Sequence, residues 1–476
     1  MKRSESGICL LTILSIVALL VVACGPTSPP PTEPPPTKAV VEEPTAEPVP
    51  PTEEPTALPE VSLDFIAFPL WSGITGTEPE GQGRDYWDKI AQEFQDMHPN
   101  VTINVEMGDW STSKEELTAR LAADNPPDVM YTCDQDAYIY RDVLLLMDSY
   151  IDEEFRADVT QDTWDLYTVD GKIRLLPAMV QWNGLIINAE LFRERGVPIP
   201  EDPAREWTWD EFMDAVQKLT FDRDGDGKID VYGTAVAGIN WDMEWYNLHY
   251  NFNRGARFMD PSLRKFILND EKGVEAMQWL LDLQDKYGVI PPGAAGLSLD
   301  DAYQMLFRGQ VAMFHGAAWV ISWMESSVAS GELEQPADLM IVQYPHFPGE
   351  TMVTDLASCG FGVFERPDDP YRTEMAAQLA LYITSSEKLR DWKAGGYIPA
   401  RLSSMEGLYD DNANMQALIN MAPYGRIFWS REVDMWLYAD QMNAIIPAVF
   451  NHDMTPKEAL DQFVENAQPI FDSNLP

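Results

Sequence analysis

From residue 61 onward the apolar positions recur with two alternating periods. In VTINVEM (101–107) they alternate, which puts Val101, Ile103 and Val105 on one side of a strand. In DYWDKIAQEFQDM (85–97) they recur every three or four residues, so Trp87, Ile90, Phe94 and Met97 share one helical face. KEELTARLAA (114–123) predicts a short helix, and PPDVMYT (126–132) a buried strand. Two later helix starts carry capping boxes. Thr208 with Glu211 precedes Phe212, Val216 and Leu219, and Thr455 with Pro456 and Glu458 opens the last helix. Helices alternating with short apolar strands predict an α/β fold with a largely parallel sheet. No internal repeat is present. The chain has 476 residues, comfortable for two domains of about 200 residues each.

The first 60 residues break this pattern. Lys2 and Arg3 precede an apolar run from Ile8 to Ala23, shorter than the roughly 18 residues of a spanning helix. A basic head, a short apolar core and small residues before the cut predict an export signal over residues 1–23. The ending VVAC resembles the lipobox of bacterial lipoproteins, which implies acylation of Cys24 and a membrane anchor. Residues 25–59 hold thirteen prolines, and Lys38 is their only base. Such a segment cannot bury enough apolar surface to fold. Residues 24–60 therefore form a lipid-anchored tether, able to reach on the order of 100 Å at about 3.1 Å per residue.

Charge narrows the partners. Asp and Glu number 77 against 33 Lys and Arg, a net −44, which argues against nucleic acid or an anionic bilayer surface. Four scattered cysteines make neither a disulfide scaffold nor a zinc knuckle. The sequence has no nucleophile elbow, zinc-protease helix, phosphate loop or dinucleotide fingerprint. Paired carboxylates of a carbohydrate-active enzyme stay open, because acids abound and none is singled out.

Two features do carry chemistry. The first is tryptophan, fifteen in all, with Trp241 beside Trp245 and Trp319 beside Trp323 at i,i+4 spacing. Each pair fits a buried helix face as well as a ligand platform. Collectively, those near loops suggest a cleft for flat amphipathic faces such as sugar rings. The second is FDRDGDGKIDVYG (221–233). Asp222, Asp224 and Asp226, the carbonyl of Lys228 and the carboxylate of Asp230 offer oxygens at calcium-loop spacing. Position 12 is Gly233, so a sensor EF-hand is excluded, and the alternatives are a calcium site of another kind or a plain acidic turn. Three aspartates this close repel without a cation, which favours one structural calcium. No organic cofactor is predicted.

The order of motifs resembles the family-1 extracellular solute-binding proteins of ABC importers, the maltodextrin-binding group. The segments are NPPDVMYT, LLPAMVQWNGLIINAELFRERGV, WTWDEFMDAVQKLT, FRGQVAMFHGAAWV and YITSSEKLRDWKAGGYIPARLSSM. Ile187 stands where the family carries Tyr before Asn188. The resemblance implies a type II periplasmic-binding-protein fold, two α/β lobes joined by crossing hinge strands with the ligand cleft between. Mapped here, one lobe is 61–178 with 362–427 and the other 181–356 with 428–476. The implied ligand contacts are Asp134 and Asp136 after the DVMYT strand, Trp182 in the hinge, and Trp241, Trp319, Trp436 and Trp71. The implied protein is a monomeric, non-enzymatic receptor, lipid-anchored outside the cytoplasmic membrane. It would close on a carbohydrate, or on a non-sugar solute, and deliver it to membrane permease subunits. Some family members have a loop like 222–230 whose ion looks structural. The topology also places Cys133 and Cys359 near strands that reach the cleft, in a compartment that permits a disulfide.

Overall fold

The computed structural model describes residues 58–68, 84–109, 112–200, 207–238 and 250–475. Its strands are β1 (Val61–Ala67), β2 (Val101–Met107), β3 (Val129–Cys133), β4 (Thr168–Val169), β5 (Lys172–Ile173), β6 (Leu175–Gln181) and β7 (Gly184–Asn188). They continue as β8 (Met313–Gly316), β9 (Leu339–Val342), β10 (Thr354–Asp355), β11 (Ala357–Val363), β12 (Ile398–Pro399) and β13 (Gly425–Arg426).

The expected local elements form. The strand VTINVEM is β2, with Val101 and Ile103 buried and Val105 half-buried. The helix is Arg84–Met97, and it buries Tyr86, Trp87, Ile90, Ala91 and Phe94. Met97 departs from expectation: it is the last residue of the helix and is 53% exposed. Both capping boxes are complete, with Thr208 and Glu211 exchanging bonds at one helix start and Thr455 and Glu458 at the other.

The largest sheet runs β12-β6-β11-β3-β1-β2. β1 lies parallel to β2 and β3, but β11 sits antiparallel between β3 and β6. A second sheet, β8-β7-β9, is antiparallel throughout. The largely parallel sheet read from the sequence is thus corrected to two mixed or antiparallel ones. Helix–strand alternation reports crossovers between neighbours, and it is blind to a strand that re-enters the sheet from the opposite end after a long excursion.

Edge-to-face aromatics fill the core beneath the first sheet. Trp87 meets Phe65, Phe361 and Trp392, and Trp392 Nε1 donates to Tyr86 Oη at 3.1 Å. A second aromatic cluster joins Trp209, Phe212, Tyr250 and Trp279, with the Arg254 guanidinium 5.0 Å from the Trp209 ring centroid and 4.6 Å from that of Trp279. Burial pushes that guanidinium down to about 10. These tryptophans are core, as large aromatics usually are.

The chain passes from the first sheet to the second in two residues, Trp182 and Asn183, and returns through β10. Asn183 N–H donates to Thr354 Oγ1 at 3.0 Å, and Asn183 Nδ2 donates to Asp355 Oδ1 at 2.8 Å. Thr354 Oγ1 donates back to the Asn183 carbonyl at 2.8 Å. A third passage, β13, pairs with β10. Three crossing segments are therefore bonded to one another where the sheets meet. The helix Ala413–Met421 lies on the edge of β9, where Asn414 accepts from Ile341 N–H and donates to the Leu339 carbonyl, as a paired strand would.

Candidate functional site

Three strand ends converge at the crossing segments: the last residues of β3 and β6 and the first of β11. Asp134 N–H donates to the Ser358 carbonyl at 2.9 Å, extending the β3–β11 ladder by one residue. Ser358 Oγ accepts from Tyr167 Oη and donates to the Met179 carbonyl, each at 2.6 Å. One pair earlier, Cys133 and Cys359 face each other in register and are joined by a disulfide. The pairing that the sequence left open is therefore made.

Asp134 is 3% exposed. Its Oδ1 accepts from Arg431 Nη1 at 2.6 Å, while its Oδ2, also buried, has no partner among the described residues. Burial pushes its carboxyl up to about 6, against the pull of Arg431. Arg431, 7% exposed, also donates through Nη2 to the Leu356 carbonyl at 3.2 Å and stands 5.0 Å from the Trp429 ring centroid. Its Nε has no partner among the described residues. A buried ion pair with an unmet acceptor and an unmet donor is costly, since each unsatisfied group forfeits its hydration.

Asp136 is half-buried and accepts from Thr132 Oγ1. Burial pushes its carboxyl too up to about 6, with the Thr132 bond and the Lys114 charge opposing. Lys114, on the helix Ser113–Ala122, forms an ion pair with Asp434, just ahead of the helix Trp436–Phe450. Burial holds the Lys114 amine below its usual value. Two ion pairs, Asp134–Arg431 and Lys114–Asp434, thus tie the β3 side to the segment that follows β13.

A small pocket opens beside these strand ends. Met179, Val180, Gln181 and Trp182 line one side, Ala317, Ala318 and Trp319 another, and Gly396, Tyr397, Ile398 and Leu418 the rest. Trp182 is nearly buried, and its Nε1 lacks an acceptor among the described residues. A Cβ at Gly425 would fall 2.9 Å from that nitrogen, so glycine lets the chain pass against the indole. Gly396 has φ +74°, and a Cβ there would fall 2.7 Å from Ser322 Oγ, so only glycine fits the turn and the approach together. Trp319, half-buried at the start of the helix Ala318–Ala329, meets Tyr303 edge-on at 5.4 Å and lies nearly parallel to Trp323.

The structure thus brings Trp182 and Trp319 to one pocket and sets Asp134 just past the end of β3, two strands from β6, with Asp136 opening the short helix that follows, both outside its lining. Trp436 lies at the start of its helix, and Trp71, Trp241 and Cys24 fall outside the described residues. Arg431, Lys114 and Gly396 were missed. Lone cations and glycines carry no periodic signal, and each matters through a contact far along the chain.

The Asp222–Asp230 loop stands apart. Carboxylate oxygens of Asp222, Asp224 and Asp226 converge within 4.8 Å, a group that could hold a metal ion. Backbone N–H groups orient them: Gly225 and Gly227 donate to Asp222, Asp226 donates to Asp224, and Lys228 donates to Asp226. The Gly227 and Gly225 N–H groups hold the Asp222 carboxyl below its usual value. Asp230 is not part of the triad, and its Oδ2 accepts from the Arg223 and Asp224 N–H groups. The Lys228 side chain pairs with Asp226 at 3.4 Å.

Residues 80–355 match the family model described as bacterial extracellular solute-binding protein. A lipoprotein of Streptomyces antibioticus is 25% identical over 237 residues, which is 47% of this chain and 49% of that one. The chain spans about half the length of the curated relatives it matches. Among solved structures, an ABC transporter solute-binding protein of Thermotoga lettingae, bound with α-D-tagatose, superposes with a TM-score of 0.69 at 20% identity. That match covers 86% of this chain and 99% of that one. An ABC substrate-binding protein of Listeria monocytogenes in complex with cycloalternan gives 0.69 at 20% identity, over 87% and 99%. The fold is the α/β periplasmic-binding-protein fold.

Proposed function

Since the chain belongs to the bacterial extracellular solute-binding proteins, receptors rather than catalysts, we propose that it captures a carbohydrate and hands it to an ABC importer. The lobes in this reading are 61–178 with 362–427 and 181–356 with 428–476, hinged at Trp182–Asn183, β10 and β13. Ligand touching both lobes stabilises the closed form, and the closed form docks on the permease. One observation carries the choice of ligand. Trp182 and Trp319 line one pocket, and at the end of β3, two strands away, the buried Asp134 keeps an acceptor oxygen unmet among the described residues. Indole faces suit the C–H faces of a sugar ring, while Asp134 Oδ2 suits a hydroxyl donor and Trp182 Nε1 a ring or glycosidic oxygen. The tagatose and cycloalternan complexes of the structural neighbours support the same class. Cys24 would anchor the protein through acyl chains, with 25–60 as tether, a reading supported by the lipoprotein relative.

A thermal-shift screen against mono- and oligosaccharides tests this. Ligand bound only by the folded form adds about 2.7 kcal/mol at 100 times Kd. A rise with a carbohydrate supports the reading. A flat response to all carbohydrates together with a rise for another solute overturns it. For the aspartate loop we propose calcium: Asp222, Asp224, Asp226, the Lys228 carbonyl and Asp230 would supply hard oxygen donors, with waters completing the shell. The ion would pin the loop without switching it.

A further inference from the structure

The Cys133–Cys359 bridge occupies an unusual place relative to the candidate cleft. It closes a loop of 226 residues, and that loop contains β7, β8 and β9, the entire second sheet. It therefore joins two strands of the first sheet that the chain separates by a whole body of the protein. The bridged pair is the one directly before the Asp134–Ser358 pair, whose hydrogen bond is the last rung of the β3–β11 ladder. Among the described residues β3 has no strand partner beyond that rung, and Asp134 turns to Arg431, contributed from 297 residues away. On its other side β11 abuts β6, where Ser358 Oγ holds the Met179 carbonyl and Met179 lines the pocket. The β11–β6 ladder slips register between Cys359 and Gly360, so this end of β11 is not fixed by continuous pairing with β6. Both cysteines are half-buried, and Cys359 packs against the edge of the core.

We propose that the Cys133–Cys359 disulfide is a positioning element of the ligand cleft, holding the ends of β3 and β11 so that Asp134 meets Arg431 and presents its second oxygen to ligand. This rests on the carbohydrate-receptor reading above and deepens it. A register slip on one side and an open strand end on the other leave the last rung free to fray. The cross-link removes that freedom where the buried ion pair most needs fixed geometry. Reduction by an external dithiol gives two thiols. A reductant thiolate attacks one sulfur, the mixed disulfide is resolved by the second reductant sulfur, and two electrons and two protons pass to Cys133 and Cys359 as the dithiol is oxidised.

The test compares the oxidised full chain, the same protein in dithiothreitol, and the Cys133→Ala/Cys359→Ala variant, all well below their melting temperatures. Amide hydrogen exchange is read without ligand, and maltotriose affinity by calorimetry. The expectation is at least tenfold faster exchange at the Asp134 amide in both unbridged forms, with amides of β1 and β2 unchanged, and at least tenfold weaker maltotriose binding. In an Asp134→Asn background, removing the bridge should change affinity less than twofold, because the two act through one contact. Unchanged Asp134 exchange overturns the proposal, as does faster exchange with unaltered affinity, or additive losses in the double-mutant comparison. A uniform acceleration across β1 and β2 would mark the bridge as a general stabiliser and also overturns it. If the oxidised protein binds neither maltotriose nor any other carbohydrate, the receptor reading loses its ligand, and the exchange result alone decides the positioning role.

Discussion

β3 is bracketed by two buried aspartates, and they are satisfied to different degrees. At its entering end Asp128 is fully buried, and its two oxygens accept four bonds. These come from Asp64 N–H at 2.7 Å, Arg366 Nε at 3.2 Å, and Arg372 Nε and Nη2 at 2.7 Å each. Arg366 also donates to the Pro126 carbonyl. At its leaving end Asp134 has, among the described residues, a single side-chain partner, Arg431, and one oxygen with none. The same residue type on one strand is thus saturated at the far end of the sheet and unsaturated beside the crossing segments. A buried charge that the fold itself completes is structural, whereas one left incomplete is tolerated where something else must bind.

The largest expected effect lies at the saturated end. Asp128→Ala strands two guanidinium groups and should cost about 3–5 kcal/mol in urea denaturation, with carbohydrate affinity of the folded fraction unchanged. A cost near zero breaks the comparison, because Asp128 would then be no anchor. The unsaturated end should respond to pH. Asp134 and Asp136 hold protons more tightly folded than unfolded, at about 6 against the ordinary 3.8. Above pH 6 both states are ionised and the burial cost is fully present. As pH falls from 6 towards 4 the folded state protonates first, so stability rises, by about 3 kcal/mol for a two-unit shift at Asp134. Asp158 and Glu93, whose carboxyls are lowered, act in the opposite sense: their stabilisation is lost as pH falls below their ordinary values of 3.8 and 4.5, so Glu93 begins to subtract at the acid end of that window. Denaturation midpoints of wild type and Asp134→Asn at pH 5 and 7.5 check this, and the variant should lose about half of the slope, with Asp136 supplying the rest.

The exposed triad sharpens the contrast, since its carboxylates are held by their own loop. Calcium at 100 times Kd should add about 2.7 kcal/mol to the stability of metal-free wild type. Asp224→Ala with Asp226→Ala should abolish that gain and leave carbohydrate affinity as it was. Identical melting curves in calcium and in chelator would make the loop a plain turn. The smallest effect is expected at the pocket. Trp319→Ala should weaken carbohydrate binding by about 1–3 kcal/mol, with a far smaller change in melting temperature. Normal binding, or loss of folding, would return Trp319 to the core beside Tyr303 and Trp323.

What the sequence determined by itself was local. Alternation in VTINVEM, the helical face from Trp87 to Phe94, both capping boxes and the aspartate spacing of 222–226 each rest on neighbours within a few residues, where backbone geometry leaves little choice. Motif order along the chain also reached the family and the fold. Periodicity, however, says which face of an element is buried and not what it meets. It could not foresee that β11 returns antiparallel between β3 and β6, that Met97 stays exposed at the end of its helix, or that Asp128 is saturated while Asp134 is not. Only the tertiary structure decided those, because Asp134 finds Arg431 across 297 residues and Cys133 finds Cys359 across 226. Contacts at such separations depend on how whole sheets are placed, and no window along the chain contains both partners.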